Sequence, residues 1–312
     1  MNYLLKRFAA VAGLTLLEAL RQPILLLLTT TCVVFIALLP ALLMHTMGDA
    51  QKVVQDSALA VQFVGGLLLG GYAASASLGR EIRRGTLATV LSKPVERELF
   101  FLAKFTGIMV MLALYSGVTG MATLLGAHMA HEAYTVNWGT GAWLLGAVAV
   151  AYGTAGAANY FRHRPFVSTA FVLLVVATAV ALLASAQAGD FPWRVVPASV
   201  LVAMATLLLA AVALGLVTRL DLVATLAAVT IVFLAGLMTD YLLGRAAETD
   251  SLAAFVYNLL PNWQHFWTAD ALAGEGRIPW TYVRQVSGYA IFYLLGTLSL
   301  GMLAFRNVET KA

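Results

Sequence analysis

A single cysteine, Cys32, stands in the whole chain, which excludes an intrachain disulfide and a cysteine-based metal cluster. Charge is nearly as scarce. Of 312 residues, 11% are Asp, Glu, Lys or Arg, against roughly 25% in soluble domains. Apolar residues make up 61% of the chain, and mean hydropathy is +0.86. A soluble chain of this kind has too little polar surface to meet water, but lipid is itself apolar.

Missing motifs narrow the function. There is no Gly-x-x-x-x-Gly-Lys-Ser/Thr phosphate loop; the nearest run, Gly79 to Thr86, lacks the lysine, so ATP binding by that route is not expected. No His-Glu-x-x-His, Gly-x-Ser-x-Gly or intramembrane Asp pair occurs, so protease and hydrolase chemistry is unsupported. The chain is therefore expected not to be an enzyme and to need no cofactor or metal. His128, His131 and Glu132 stand together between two apolar runs, yet a trio without a fourth ligand reads as a solvated loop. The apolar runs hold almost no charge, and Asp240 stands near the end of one. Ion-coupled transporters need such groups inside the bundle, so the energy for any transport must come from elsewhere. A voltage sensor is excluded because no run carries a series of arginines.

What is present is a succession of runs of about 20 apolar residues, the length that crosses a bilayer as a helix. The runs are 23–44, 57–79, 101–127, 140–161, 166–186, 195–217, 221–243 and 282–305. The expected fold is an all-α, polytopic transmembrane bundle of about eight spans, with residues 23–312 as one transmembrane domain. Only the tight polar turn Thr218-Arg219-Leu220-Asp221 separates the sixth and seventh spans. Residues 1–22 read as an amphipathic surface helix. Tyr3, Leu4, Phe8, Val11 and Leu14 can share one side, while Lys6, Arg7, Glu18 and Arg21 reach headgroups. Segment 244–281, with Tyr257, Trp263, Trp267 and Trp280, reads as an interfacial or re-entrant hairpin before the last span.

The net charge of +4 would suggest nucleic acid in a soluble protein, but here it sits in short segments and orients the chain instead. With the N-terminus inside, 14 Lys and Arg fall on the inner side and 5 (Lys52, Arg194, Arg245, Arg277 and Arg284) on the outer. The expectation is a multi-pass protein of the plasma (bacterial inner) membrane with both termini cytoplasmic and 244–281 outside.

Gly66, Gly70 and Gly71 form small-xxx-small pairs in the second span, Gly66 with Gly70, Gly70 with Ala74 and Gly71 with Ser75. Such spacing permits close helix approach, either as ordinary packing, the commoner case, or as a sliding interface. The inner loop 80–98 is the longest and most charged. Ile82, Leu87, Val90 and Leu91 give it an apolar stripe, Gly85 permits a bend, and Pro94 suits the first turn of the following helix, with Glu96 and Glu98 near that helix's positive end. A loop that only sets topology explains the arginines but not the stripe.

This loop resembles the coupling segment of ABC-2 type ABC transporter permeases. The residues that carry the resemblance are Glu81, Gly85, Thr86, Leu87, Leu91, Ser92, Pro94, Val95, Arg97 and Lys104. Glu18-Ala19-Leu20-Arg21-Gln22-Pro23 is similar to the end of the family's N-terminal surface helix, and Leu260-Pro261-Asn262 to its outer hairpin. The family's common core has six spans, so eight would place an extra pair, expected within 166–243.

The resemblance implies a membrane permease subunit of an ATP-driven transporter, an exporter, paired with a second permease copy or a homologous permease in membrane lipid. A separate cytoplasmic ABC ATPase would dock on 80–98. Glu81, Arg83 and Arg84 would make polar contacts, Leu87 and Leu91 the apolar anchor, and Gly85 the bend, with Thr86, Ser92, Pro94 and Arg97 completing the coupling set. A non-transporting membrane scaffold and a facilitative carrier or channel stay open beside this reading.

Overall fold

In a computed structural model of the chain, the residues described are 2–43, 49–85, 96–130, 135–187, 189–247, 250–274 and 276–306. Among them there are helices and no strands. In chain order the helices are α1 (Asn2–Leu20), α2 (Pro23–Leu43), α3 (Ala50–Arg83), α4 (Arg97–Met129), α5 (Trp138–Arg162), α6 (Phe166–Ala186), α7 (Val196–Leu216), α8 (Leu222–Ala247), α9 (Ser251–Leu259) and α10 (Trp280–Arg306). Eight of these, all but α1 and α9, are long and apolar enough to cross a membrane. The protein is an all-α polytopic bundle, as its apolar runs imply.

The core lies between α3, α4 and α7. The apolar stretches of α3 and α4 are each 67% buried and that of the α7 span 61%, against 22% for α8 and α10. Outer helices thus keep most of their apolar surface for lipid or a partner. Glycines let the central helices meet. A Cβ on Gly66 would stand 2.5 Å from the Thr206 Cγ2, and one on Gly70 3.1 Å from the Ala210 Cβ, so this pair packs α3 on α7. Gly71 turns to α8, where a Cβ would lie 2.5 Å from Leu226 Cδ2. Buried threonines are accommodated by bonding back along their own helices, as Thr29, Thr119 and Thr178 do to the carbonyls four residues earlier. Gln62 of α3, fully buried, exchanges two hydrogen bonds with Ser199 of α7 at 3.2 and 3.0 Å.

At 1.5 Å per residue, α3 and α4 are each about 50 Å long, some 20 Å more than a hydrocarbon core. Their overhangs hold the polar residues that the apolar runs leave out. One end of the bundle, the charged end, gathers the C-terminus of α3, the N-terminus of α4 and α1. The other, the aromatic end, carries Trp193, Trp263, Trp267 and Trp280.

Two local expectations need correction. The face proposed for α1 is split: Val11 packs on the bundle with Leu16, Ala19 and Leu20, while Leu4 and Leu14 are exposed with Leu5 and Leu17. The cause is α4, whose Gly107 leaves room for the Ala12 carbonyl and Thr15. His128 is not in a solvated loop. It is buried in the last turn of α4, with Nδ1 2.9 Å from the Thr140 hydroxyl and its ring 5.1 Å from that of Phe191; His131 and Glu132 lie outside the described residues. The helix α4 begins at Arg97 with Glu96 at its cap, and Pro94 lies outside the described residues.

Candidate functional site

The charged end is assembled from the last turns of α3. Ser75–Gly79 form a wide π turn, a feature frequent at functional positions. Two arginines beyond it fold back over its carbonyls. The Arg83 guanidinium reaches the Ser75 hydroxyl at 3.2 Å and carbonyl at 3.4 Å, and Arg80 Nε donates to the Ala76 carbonyl. Gly79 is small for a reason: a Cβ would meet Val217 at 2.9 Å, where the chain leaves α7.

From this turn two ion pairs reach outward. Arg80 Nη2 binds Glu18 Oε1 of α1 at 3.1 Å, and Lys104 Nζ of α4 binds Glu81 Oε1 at 2.7 Å. They differ in burial. The Lys104 side chain is 3% exposed and that of Glu81 24%, whereas Arg80 and Glu18 are 35% and 43% exposed. Lys104 also lies 5.4 Å from the centre of the Phe100 ring, which favours the ammonium. Nearby, the Tyr72 hydroxyl meets Gln22 Oε1 at 3.3 Å, and Arg97 donates to the carbonyl of Arg306 at 3.0 Å. The tip of α3 is thus tied to α1 and α4, and the start of α4 to the end of α10.

The expected coupling residues fall into three groups. Glu81 turns inward to Lys104, while Arg83 and Arg84 are exposed on the last turn. Gly85 ends the helix at φ +69°, a left-handed conformation that favours glycine, with its N–H on the Ile82 carbonyl at 3.2 Å. Thr86, Leu87, Leu91, Ser92 and Pro94 lie outside the described residues; Arg97 stands at the foot of α4. Sequence reasoning marked Ser75 only as the small partner of Gly71 and Arg80 only as part of the inner loop, and only the family resemblance marked Lys104, because it sits inside an apolar run. Glu18, a lone carboxylate in a helix with an apolar stripe, was the available signal for its own pairing.

A glutamate in the last turn of α3 paired to a lysine about two turns into α4 matches the spacing that suggested ABC-2 permeases. Residues 20–158 match the ABC-2 family transporter protein family. The matched stretch runs from the end of α1 into α5 and contains Glu81, Lys104 and the whole segment between them. No curated protein and no solved structure matches the chain. The ABC-2 match supports a membrane permease subunit of an ABC transporter, a subunit type distinct from the ATPase, and the eight apolar helices support a multi-pass membrane protein.

Proposed function

We propose that this chain is the permease subunit of an ATP-driven exporter, that its charged end is cytoplasmic, and that residues 80–98 dock a separate ABC ATPase. A second permease copy or a homologue would complete the transporter. The observation that carries this is the Glu81–Lys104 pair, which joins the two long central helices next to the connecting segment. Force applied to that segment would reach α3 and α4 together, and through Arg80–Glu18 it would also reach α1. ATP binding and hydrolysis in the partner would then switch the bundle between states of different cargo affinity. Support for the sidedness comes from the cations. Lys6, Arg7, Arg21, Arg80, Arg83, Arg84, Arg97, Lys104, Arg162, Arg164, Arg219 and Arg306 belong to the charged end, against five Lys and Arg at the other.

The experiment is capture of the tagged protein from membranes, with bound ATPase identified by mass spectrometry. The wild-type chain should bring down an ABC ATPase. Leu87→Asp with Leu91→Asp should lose it at unchanged membrane abundance, since charge would enter a desolvated contact. Absence of an ATPase with the wild-type chain, or equal capture by the double variant, refutes docking at this segment.

A further inference from the structure

At the aromatic end, the segment after α9 dips back into the bundle and closes over a cavity of about 300 Å³. Phe63 of α3, Val202 of α7 and Phe233 and Leu237 of α8 form its walls, and Trp263 and Trp267 its roof. The rings are in mutual contact: Phe63 to Phe233 is 4.8 Å between centroids and Phe233 to Trp263 6.2 Å. The lining side chains carry no charge and no polar atoms besides two indole nitrogens, and that of Trp263 faces the Val232 carbonyl oxygen at 3.5 Å. The roof is fastened separately. Asp240 of α8 accepts hydrogen bonds from the Tyr257 hydroxyl at 2.7 Å and Asn262 Nδ2 at 2.8 Å. Gly236 lies directly beneath Pro261 and Trp263, leaving no room for a side chain.

The position of the mouth determines what can enter. Val64 lies about 20 Å along α3 from its aromatic end, and Leu237 lies inside the apolar span Leu222–Leu242. Val64, Leu237 and Trp267, all at the cavity, are 53%, 37% and 38% exposed. An opening at this depth on a membrane-spanning helix meets acyl chains. Water is a poor occupant, since apolar cavities of even ~150 Å³ stay dry and take apolar ligands. A whole helix, about 10 Å across, is too wide. With no charge, and no donor besides two indole N–H groups of which that of Trp263 faces Val232, the cavity suits the hydrocarbon portion of a lipid. We propose that it binds one acyl chain of a membrane phospholipid, which enters sideways between α3 and α8 under the Trp263–Trp267 roof. This holds whether or not the charged end docks an ATPase.

The test uses the full chain reconstituted in phosphatidylcholine vesicles containing a minor fraction of phosphatidylcholine with a photoactivatable acyl chain. Labelled peptides are mapped by mass spectrometry after irradiation. Labelling of Val64, Leu237 and Trp267 should exceed that of Val176 and Ile291, exposed positions elsewhere on the bundle. Ala205→Phe should fill the cavity and Val64→Trp should block its mouth, each cutting cavity labelling about tenfold and sparing Val176. Gly236→Val, which lifts the roof, should do the same. If Ala205→Phe does not fold, Val64→Trp still reads, because that position is already exposed. Equal labelling of cavity and Val176 means ordinary surrounding lipid only and overturns the proposal. So does undiminished labelling in the blocked variants, or disulfide formation between copies carrying Val64→Cys, which would place a second copy over the mouth.

Discussion

At the charged end, two carboxylate–cation pairs fasten α1 and α4 to the tip of α3; at the aromatic end, the roof of the cavity is fastened by a carboxylate, Asp240, that gathers neutral donors, and by ring contacts, while the ion pair Lys52–Asp270, at 3.6 Å, lies at the surface with Asp270 95% exposed. The two designs respond to different influences. The half-exposed Arg80–Glu18 pair can exchange partners when a charged surface approaches, and salt weakens it more than the buried Lys104–Glu81 pair. An aromatic roof held by neutral donors and ring contacts responds to bulk and to what fills the space below it. A machine driven from one end and loaded along its length would need this division, and each half of it can be broken separately.

The largest effect is expected at Lys104. Lys104→Met removes the ammonium that meets the Glu81 carboxylate at 2.7 Å in a mostly buried place, so the stability loss should approach ~3 kcal/mol, the lower end for a broken buried pair. Adding Glu81→Gln should recover much of it, because the carboxylate charge that Lys104 balanced is then gone. Thermal unfolding of the purified variants in detergent decides this. If the double variant is as unstable as Lys104→Met alone, the pair is not what holds the end together. Glu18→Gln, by contrast, breaks a half-exposed pair and should cost no more than ~1 kcal/mol, with salt removing most of the difference from wild type.

Between the ends, Gly66→Ala should cost about 1–3 kcal/mol by pushing α7 away, since the new methyl would meet Thr206. Gly153, whose Cβ would meet nothing within 4 Å, is the control and should tolerate alanine. Thr206→Ala should rescue Gly66→Ala if contact with Thr206 is the whole cost. A loss that persists in the double variant would mean that Gly66 matters for some other reason.

At the aromatic end, Asp240→Leu should free the roof, at about 1–2 kcal/mol, and speed proteolysis between residues 250 and 274. The bond to Asp240 raises the Tyr257 phenol above its ordinary value near 10. The sign follows: the folded state holds this proton more tightly, so the contribution is intact below about pH 10 and lost as pH rises through the raised value. Tyr257→Phe should abolish that alkaline component of roof release. An unchanged alkaline proteolysis profile in Tyr257→Phe would show that another group opens the roof.

How much of this was legible in the sequence depended on range. The spans were visible because each is a continuous apolar run, and the turn at Thr218–Asp221 was visible because four residues break one. Asp221 even accepts from the Ala224 N–H at 2.8 Å, as a residue that starts a helix should. The true length of α3 was hidden: Lys52 and Asp56 precede its apolar run, and polar overhang does not register as span. The Glu81–Lys104 pair crosses 23 residues, and the Asp240–Asn262 bond 22. No local periodicity signals either. The first was reachable only through the ABC-2 spacing, and the second through nothing more than a re-entrant segment rich in tryptophan. The role of His128 was misjudged because its partner, Thr140, belongs to the next helix.

Two left-handed glycines, one at each end, separate structure from function most cleanly. Gly85 at the charged end and Gly274 at the aromatic end both have positive φ, +69° and +59°, and a Cβ at either would meet nothing within 4 Å. Alanine at each should therefore cost only the left-handed backbone penalty, about 1–2 kcal/mol, and nothing for crowding. Asparagine, which tolerates this conformation better, should cost less at both. On stability alone the two glycines are matched. If residues 80–98 transmit the work of an ATPase, Gly85→Ala should lower transport-coupled ATPase activity well beyond its effect on unfolding, Gly85→Asn should restore much of it, and Gly274→Ala should leave it near wild type. Equal activity losses at both glycines would mean that activity only follows stability, and that the bend at Gly85 ends a helix without transmitting anything.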